Sequence, residues 1–170
     1  MPGLLAEELF ACLARHGVRY VLIGGLAAVL HGSPLPTLDA DVCPSRDPEN
    51  LERLAAALVE LDARIRTPHD AEGVRFPHQA AFLKGVELLN LVTRLGDLDL
   101  AFTPAGTNGF EDLVPRAVAM TIRGVTIRVA ALEDVIRSKA AANRPKDQLS
   151  LPVLRQLLQE VRKRQGIGEV

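Results

Sequence analysis

Aromatic side chains are scarce: tryptophan is absent, and one tyrosine and five phenylalanines make up only 4% of the chain. A surface that stacks successive nucleobases on rings needs more of them than this chain can spare from a core. There are two cysteines, Cys12 and Cys43, both in apolar stretches and without metal-ligand spacing, so a zinc module is excluded and reduced core thiols are expected. The four histidines show no His-x-x-x-His spacing, and no Gly-x-Ser-x-Gly elbow occurs, which removes the usual zinc-hydrolase and serine-triad patterns. No stretch approaches the roughly 18 apolar residues of a membrane span, and the first residues lack a basic region followed by an apolar run. No membrane partner and a cytoplasmic location are therefore expected.

Charge of one sign is also lacking, since the net charge is −1. That average excludes a uniformly basic nucleic-acid binder but hides an asymmetry: residues 131–170 hold eight Lys or Arg against five acids, a local +3 that leaves −4 for the rest. Apolar residues make up 48% and charged residues 24%, ordinary values for a globular protein. The 170 residues suit one unit, read as a core over residues 1–130 with a helical segment over residues 131–170 placed on it. No internal repeat or linker-like composition divides the chain.

Hydrophobic spacing predicts a helix over Leu4 to Arg15, a buried strand over Arg19 to Ile23, and a short helix from Leu26 to Leu30. Leu38 to Cys43 alternates apolar and acidic residues as a strand does, with Leu38 read as part of its buried surroundings. Pro48 to Leu61 reads as a helix capped by Asp47. Thr67 to Gln79 has no period and reads as a loop. Ala80 to Leu83, Val86 to Val92 and Leu98 to Phe102 read as strands, the last two joined in a hairpin. A second hairpin, Ala119 to Ile122 with Thr126 to Ala130, precedes two helices over Leu132 to Ala142 and Asp147 to Arg164. The class implied is α+β.

The chemistry gathers at two places. Gly24-Gly25 ends the first strand and lets the backbone turn into a helix whose free N–H groups attract an anion such as phosphate. Thirteen residues separate Gly25 from Asp39-Ala40-Asp41. Strand side chains alternate, so both carboxylates face one way with their origins roughly 6 to 7 Å apart. Two like charges in an apolar strand repel each other and lose hydration, and a divalent cation resolves both penalties. Magnesium held by a few carboxylates together with phosphate oxygens is the usual arrangement for phosphoryl chemistry.

Gly24-Gly25, the spacer ending in Thr37 and Asp39-x-Asp41 resemble the signature of the DNA polymerase beta-like nucleotidyltransferase superfamily. Gly96-Asp97-Leu98-Asp99-Leu100, and Ser138-Lys139 followed by Arg144-Pro145-Lys146-Asp147, are similar to the AbiEii-like branch of toxin-type nucleotidyltransferases. The resemblance spans roughly residues 18 to 158. It implies a mixed sheet flanked by helices with C-terminal helices, a nucleoside triphosphate as donor, Mg2+ or Mn2+ as cofactor, and a third acid on a neighbouring strand. Asn90 stands where many relatives would place aspartate, so Asp99 is the better third ligand, and Asp97 is read as a residue that could merely sit in the turn. Asp39, Asp41 and Asp99 are thus the expected catalytic and metal-binding residues, with Gly24, Gly25, Lys139 and Lys146 expected on the nucleotide. His31 fits a helix-end residue bonded to carbonyls.

By the same resemblance the acceptor is expected to be an RNA end, with a cognate antitoxin as protein partner. A small hydroxylated molecule or a protein hydroxyl stands as the alternative acceptor. The Thr67 to Gln79 loop, with Phe76 read as exposed beside Arg66, Arg75 and His78, is the expected acceptor clamp. The alternative function is a degenerate member that keeps the fold and binds nucleotide or protein without turnover.

Overall fold

The computed structural model describes residues 3–166. In chain order its elements are α1 (Ala6–Arg15), β1 (Tyr20–Ile23), α2 (Gly24–Leu30), β2 (Asp39–Pro44), α3 (Pro48–Glu60), β3 (Arg64–Thr67), β4 (Asp70–Val74) and α4 (Ala80–Lys84). There follow β5 (Leu88–Thr93), β6 (Gly96–Ala101), α5 (Phe110–Leu113), β7 (Val118–Ile122), β8 (Val125–Val129), α6 (Leu132–Ala142) and α7 (Pro145–Arg164). The eight strands form one mixed sheet in the order β4-β3-β5-β6-β2-β1-β8-β7.

The acid-bearing strand lies inside that sheet. β2 runs antiparallel to β1 and parallel to β6, which sets Asp39 beside Asp97 and Asp41 beside Asp99. The alternation that predicts β2 also orients it: Ala40 and Val42 are buried, while Asp39 and Asp41 on the opposite face are only partly so. β6 repeats the pattern, with Leu98 and Leu100 buried and Asp97 and Asp99 partly exposed. The apolar side chains join one core with Leu9 and Leu13 of α1 and Leu54 and Leu58 of α3. α1 contacts α3, and α3 contacts α4; α6 lies against both α2 and α7.

Local chemistry explains the better-read elements. Asp47 caps α3 by accepting the Asn50 N–H at 3.2 Å, and Pro48 fills the first turn, where a missing N–H costs nothing. Asn50 is fully buried: it accepts the Arg19 N–H at 2.6 Å and donates to the carbonyls of Arg19 at 2.9 Å and Ser45 at 2.8 Å. One amide therefore ties the head of α3 to the segments flanking β1 and β2. Both cysteines are buried and free, and burial pushes the Cys43 thiol up to about 12, so it stays protonated. Among the described residues no helix is long and apolar enough to cross a membrane. Glu169, one of the acids in the C-terminal charge balance, lies outside the described residues.

Four sequence expectations are corrected. The Thr67 to Gln79 stretch is not a loop throughout, because Asp70–Val74 forms β4 on the sheet edge, pairing with β3. Ala80 to Leu83 is helical, within α4, and buries Leu83; four apolar residues carry no period, and contact with α3 decides the outcome. α2 starts at Gly24 rather than Leu26, so both glycines sit in its first turn. Leu38 is not part of a buried strand: it precedes β2 and is 86% exposed.

Candidate active site

The site is a cleft of about 1180 Å³ on the sheet face that carries the acids, bounded by α2, β2, β5, β6 and the C-terminal helices. Asp39, Asp41 and Asp99 each direct a carboxylate oxygen to within 4.8 Å of the other two. The parallel register of β2 and β6 brings this about, since Asp41 and Asp99 are direct neighbours in adjacent strands. Asn90 stands opposite Asp99 on β5 and also lines the cleft.

Crowding of like charge marks the cluster. Burial raises the Asp41 carboxyl to about 7, with Asp39 and Asp99 adding to the rise and Lys146 and Lys139 opposing it. Asp99 is raised as well, by burial first, against the lowering effect of Arg66. Three hard oxygen donors that repel one another suit a hard divalent cation such as Mg2+ or Mn2+. The residues present therefore fit the metal that the sequence implies.

Gly24 is required by contact as well as by conformation. Its φ is +69°, and a Cβ there would stand 2.9 Å from the Asp41 Cγ. A Cβ on Gly25 would stand 2.9 Å from the Thr37 hydroxyl oxygen. Thr37 in turn donates to the Asp39 carboxylate at 3.4 Å. Gly24→Ala is accordingly expected to lose about 1–2 kcal/mol through left-handed strain alone and to push Asp41 out of the cluster. Denaturant unfolding should show the first effect, and loss of divalent-ion binding in calorimetry the second; retention of full ion binding would contradict the close fit.

The C-terminal helices supply the basic wall. Lys139 and Lys146 both line the cleft although Pro145 separates their helices. Lys139 is largely buried and lies 3.4 Å from Asp147, whereas Lys146 is exposed. Asp147 is fully buried and accepts the Arg144 backbone N–H at 3.2 Å and its Nε at 2.7 Å. Burial pushes the Asp147 carboxyl upward, but the hydrogen bonds from Arg144 outweigh it and hold the group below the ordinary range. His31 bonds the Ala130 carbonyl at 2.7 Å, joining the end of α2 to the exit of β8.

Sequence reading set Arg66 beside the acceptor clamp and missed its place against the acids. It stands on β3, and its guanidinium lies 2.8 Å from Asp97 and 2.8 Å from Asp99. Asp97 is thus a β6 residue with a partner, not a turn residue. The alternation in Arg64-Ile65-Arg66-Thr67 was the available strand signal, but four residues carry little periodicity. The expected exposure of Phe76 is corrected. Phe76 is partly buried, edge-on to His78 with ring centres 4.5 Å apart, and His78 bonds the Ala63 carbonyl.

A second carboxylate-bearing group, Cys12, His16 and Glu60, also gathers possible ligand atoms. Glu60 there is taken up by Arg15 and by His16 at 2.6 Å, and these hydrogen bonds lower its carboxyl to about 2. It is an ion-pair network at the end of α3.

No family model matches the chain, and no curated protein matches it in sequence. Solved structures do. The lincosamide antibiotic adenylyltransferase LnuA, in its lincomycin-bound form, superposes with a TM-score of 0.58 over 91% of this chain and 99% of that one, at 14% identity. The chain has the nucleotidyltransferase fold. A candidate nucleotidyltransferase of Thermotoga maritima superposes with a TM-score of 0.50, covering 91% of this chain and 90% of its own at 17% identity. At these identities the similarity is one of fold, so the chemistry of this nucleotidyltransferase fold rests on its own side chains.

Proposed function

We propose that this protein transfers a nucleoside monophosphate from a nucleoside triphosphate to a hydroxyl acceptor, with Asp39, Asp41 and Asp99 holding Mg2+ or Mn2+. The observation that carries this reading is the convergence of the three carboxylates from β2 and β6 beside the Gly24-Gly25 turn. When bound, the divalent ions supply the positive charge that offsets the leaving pyrophosphate and eases ionisation of the acceptor hydroxyl. The chain's own residues do the rest. Gly24 and Gly25 leave room for the triphosphate at the start of α2, and Lys146 and Lys139 meet it as point charges from the opposite wall. Asp99, beside the acceptor side of the cluster, takes the acceptor proton as the acceptor oxygen bonds the α-phosphorus. The bond from that phosphorus to the bridging oxygen breaks, and pyrophosphate leaves with its electron pair.

For the acceptor, a small hydroxylated molecule is favoured, a compound of the size class that LnuA holds in its lincomycin-bound form. Leu38, Leu88 and Leu149 line the cleft while 86%, 59% and 80% exposed, an apolar rim unsuited to a phosphate backbone. Much of the C-terminal basic excess is spent internally, Arg137 on Asp112 and Asp134 and Arg144 on Asp147. An RNA end, as in AbiEii-like toxins with a cognate antitoxin, is the second reading, supported by exposed Lys146, Arg155, Lys163 and Arg164 on α7.

Incubation with each labelled triphosphate, magnesium and either total RNA or pools of small hydroxylated compounds separates the two readings. Transfer to a small acceptor should vary little between 50 and 200 mM salt, conditions over which an RNA acceptor making several phosphate contacts would lose about 10³-fold or more. Label on RNA that weakens in this way would replace the first acceptor by the second. Label on neither, nor on protein added as a third pool, with every triphosphate, would leave a nucleotide-binding module.

A further inference from the structure

Arg66 reaches farther than a surface ion pair requires. It starts on β3, passes over β5, where it donates to the Leu91 carbonyl at 3.4 Å, and ends on β6. One terminal nitrogen meets Asp97 at 2.8 Å; the other donates to both Asp99 oxygens, at 2.8 and 3.1 Å. The Arg66 side chain is 28% exposed and the Asp99 side chain 15%, so the pair is shielded from screening more than a rim contact would be. Among the described residues no lysine or arginine makes a comparable ion pair with Asp39 or Asp41; the one side-chain partner of Asp39 is the Thr37 hydroxyl.

Two consequences follow from charge and geometry. A carboxylate offers about four acceptor positions, and the guanidinium occupies two of them on Asp99, leaving the others free for a cation or donor. The fork is planar and anchored at its second tooth by Asp97, so Asp99 is held at a fixed angle. The guanidinium also brings a permanent positive charge against one of the three ligands, and that charge opposes entry of a cation.

On the reading of this cluster as a metal centre, we propose that Arg66 is a resident counter-charge on Asp99 that weakens divalent-ion binding in the nucleotide-free protein. The negative charge needed to draw the ions in is then completed by the triphosphate, which ties metal loading to the arrival of substrate. Asp97 belongs to this device as the anchor of Arg66, outside the ligand cluster.

The test is titration of the full chain with Mn2+ alone, without nucleotide, following free Mn2+ by electron paramagnetic resonance. Four proteins are compared with wild type: Arg66→Gln, Arg66→Met, Arg66→Lys and Asp41→Asn. Loss of the charge in Arg66→Gln should tighten Mn2+ binding by about tenfold or more. Arg66→Met, which keeps the apolar stem, should do the same and guards against one variant lost to misfolding. Arg66→Lys, which keeps the charge but not the fork, should stay within about threefold of wild type. A residue that merely braced the fold would loosen the ligands on removal, so equal or weaker binding in both neutral variants overturns the proposal. A different outcome, wild type and Asp41→Asn titrating identically, would overturn the metal-centre reading itself and this inference with it.

Discussion

Asp41→Asn should abolish nucleotidyl transfer while making the metal-free protein more resistant to heat at pH 8. The two effects have one cause. Asp41 sits among Asp39, Asp99 and apolar strand residues, and its carboxyl is raised from the ordinary 3.8 to about 7. Between those values the folded state binds a proton that the unfolded state does not, so stability falls as pH rises through that window. Above about pH 7 the full cost of the buried charge is present; below about pH 4 it is absent. Asparagine keeps the shape and removes the charge, so the gap in melting temperature, variant above wild type, should open between pH 4 and pH 7 with a chelator present. Each kcal/mol relieved is worth about 2–4 °C for a chain of this size. Transfer should fall by about 10³-fold or more, because ligands of one centre act as a unit. Added magnesium should raise the melting temperature of wild type at pH 8 and leave the variant unmoved. Wild-type turnover by Asp41→Asn at saturating magnesium would remove Asp41 from the catalytic centre.

The second large effect is expected at Asp147, a residue without contact to the carboxylate cluster. Its side chain is fully buried and receives hydrogen bonds from Arg144, with Lys139 at 3.4 Å. Asp147→Ala leaves the Arg144 N–H without its cap and removes the carboxylate that lies 3.4 Å from Lys139. Arg144 is largely exposed and can return to water, but Lys139 is left largely buried without that carboxylate, so the loss should be about 1–3 kcal/mol, which urea unfolding would register directly. The acid limb should shift too: Asp147 has a lowered carboxyl, so its contribution is present above the ordinary carboxylate range and lost as pH falls through its folded value. Lys146 offers the contrast. It is exposed, so Lys146→Ala should leave stability within about 0.5 kcal/mol and weaken triphosphate binding instead. Should Asp147→Ala unfold like wild type, the link between α6 and α7 is held by apolar contact alone.

How far the sequence discloses this molecule depends on where the information lies along the chain. β2 could be read because alternation, two acids and the glycine turn all fall within 20 residues of one another. Asp99 could be read because Leu98 and Leu100 flank it in a strand that completes a hairpin. β3 and β4 could not: both are short and polar, and β4 is the sheet edge, where charged residues protect against further pairing and erase the hydrophobic signal. Gly73, at φ +76°, reads as a turn residue although it lies within β4. Arg66 was visible as a basic residue, but its destination depends on β3 pairing with β5, Ile65 beside Leu91, across a distance that no local pattern reports. Asp147 carried a usable signal: it stands three residues after Arg144 with Pro145 between them, the spacing of a capped helix start. The exposed Leu38 was misread for the opposite reason, since an apolar residue next to a buried strand looks like core from sequence alone.

Metal-dependent transfer of the nucleoside monophosphate by the Asp39, Asp41 and Asp99 centre can be followed by supplying the triphosphate labelled at either the α or the γ phosphate. With magnesium present, the α label should appear on the acceptor and the γ label in pyrophosphate, and both reactions should vanish with chelator or in Asp41→Asn. Transfer of the γ label to the acceptor, or α transfer that persists in chelator and in Asp41→Asn, would contradict it.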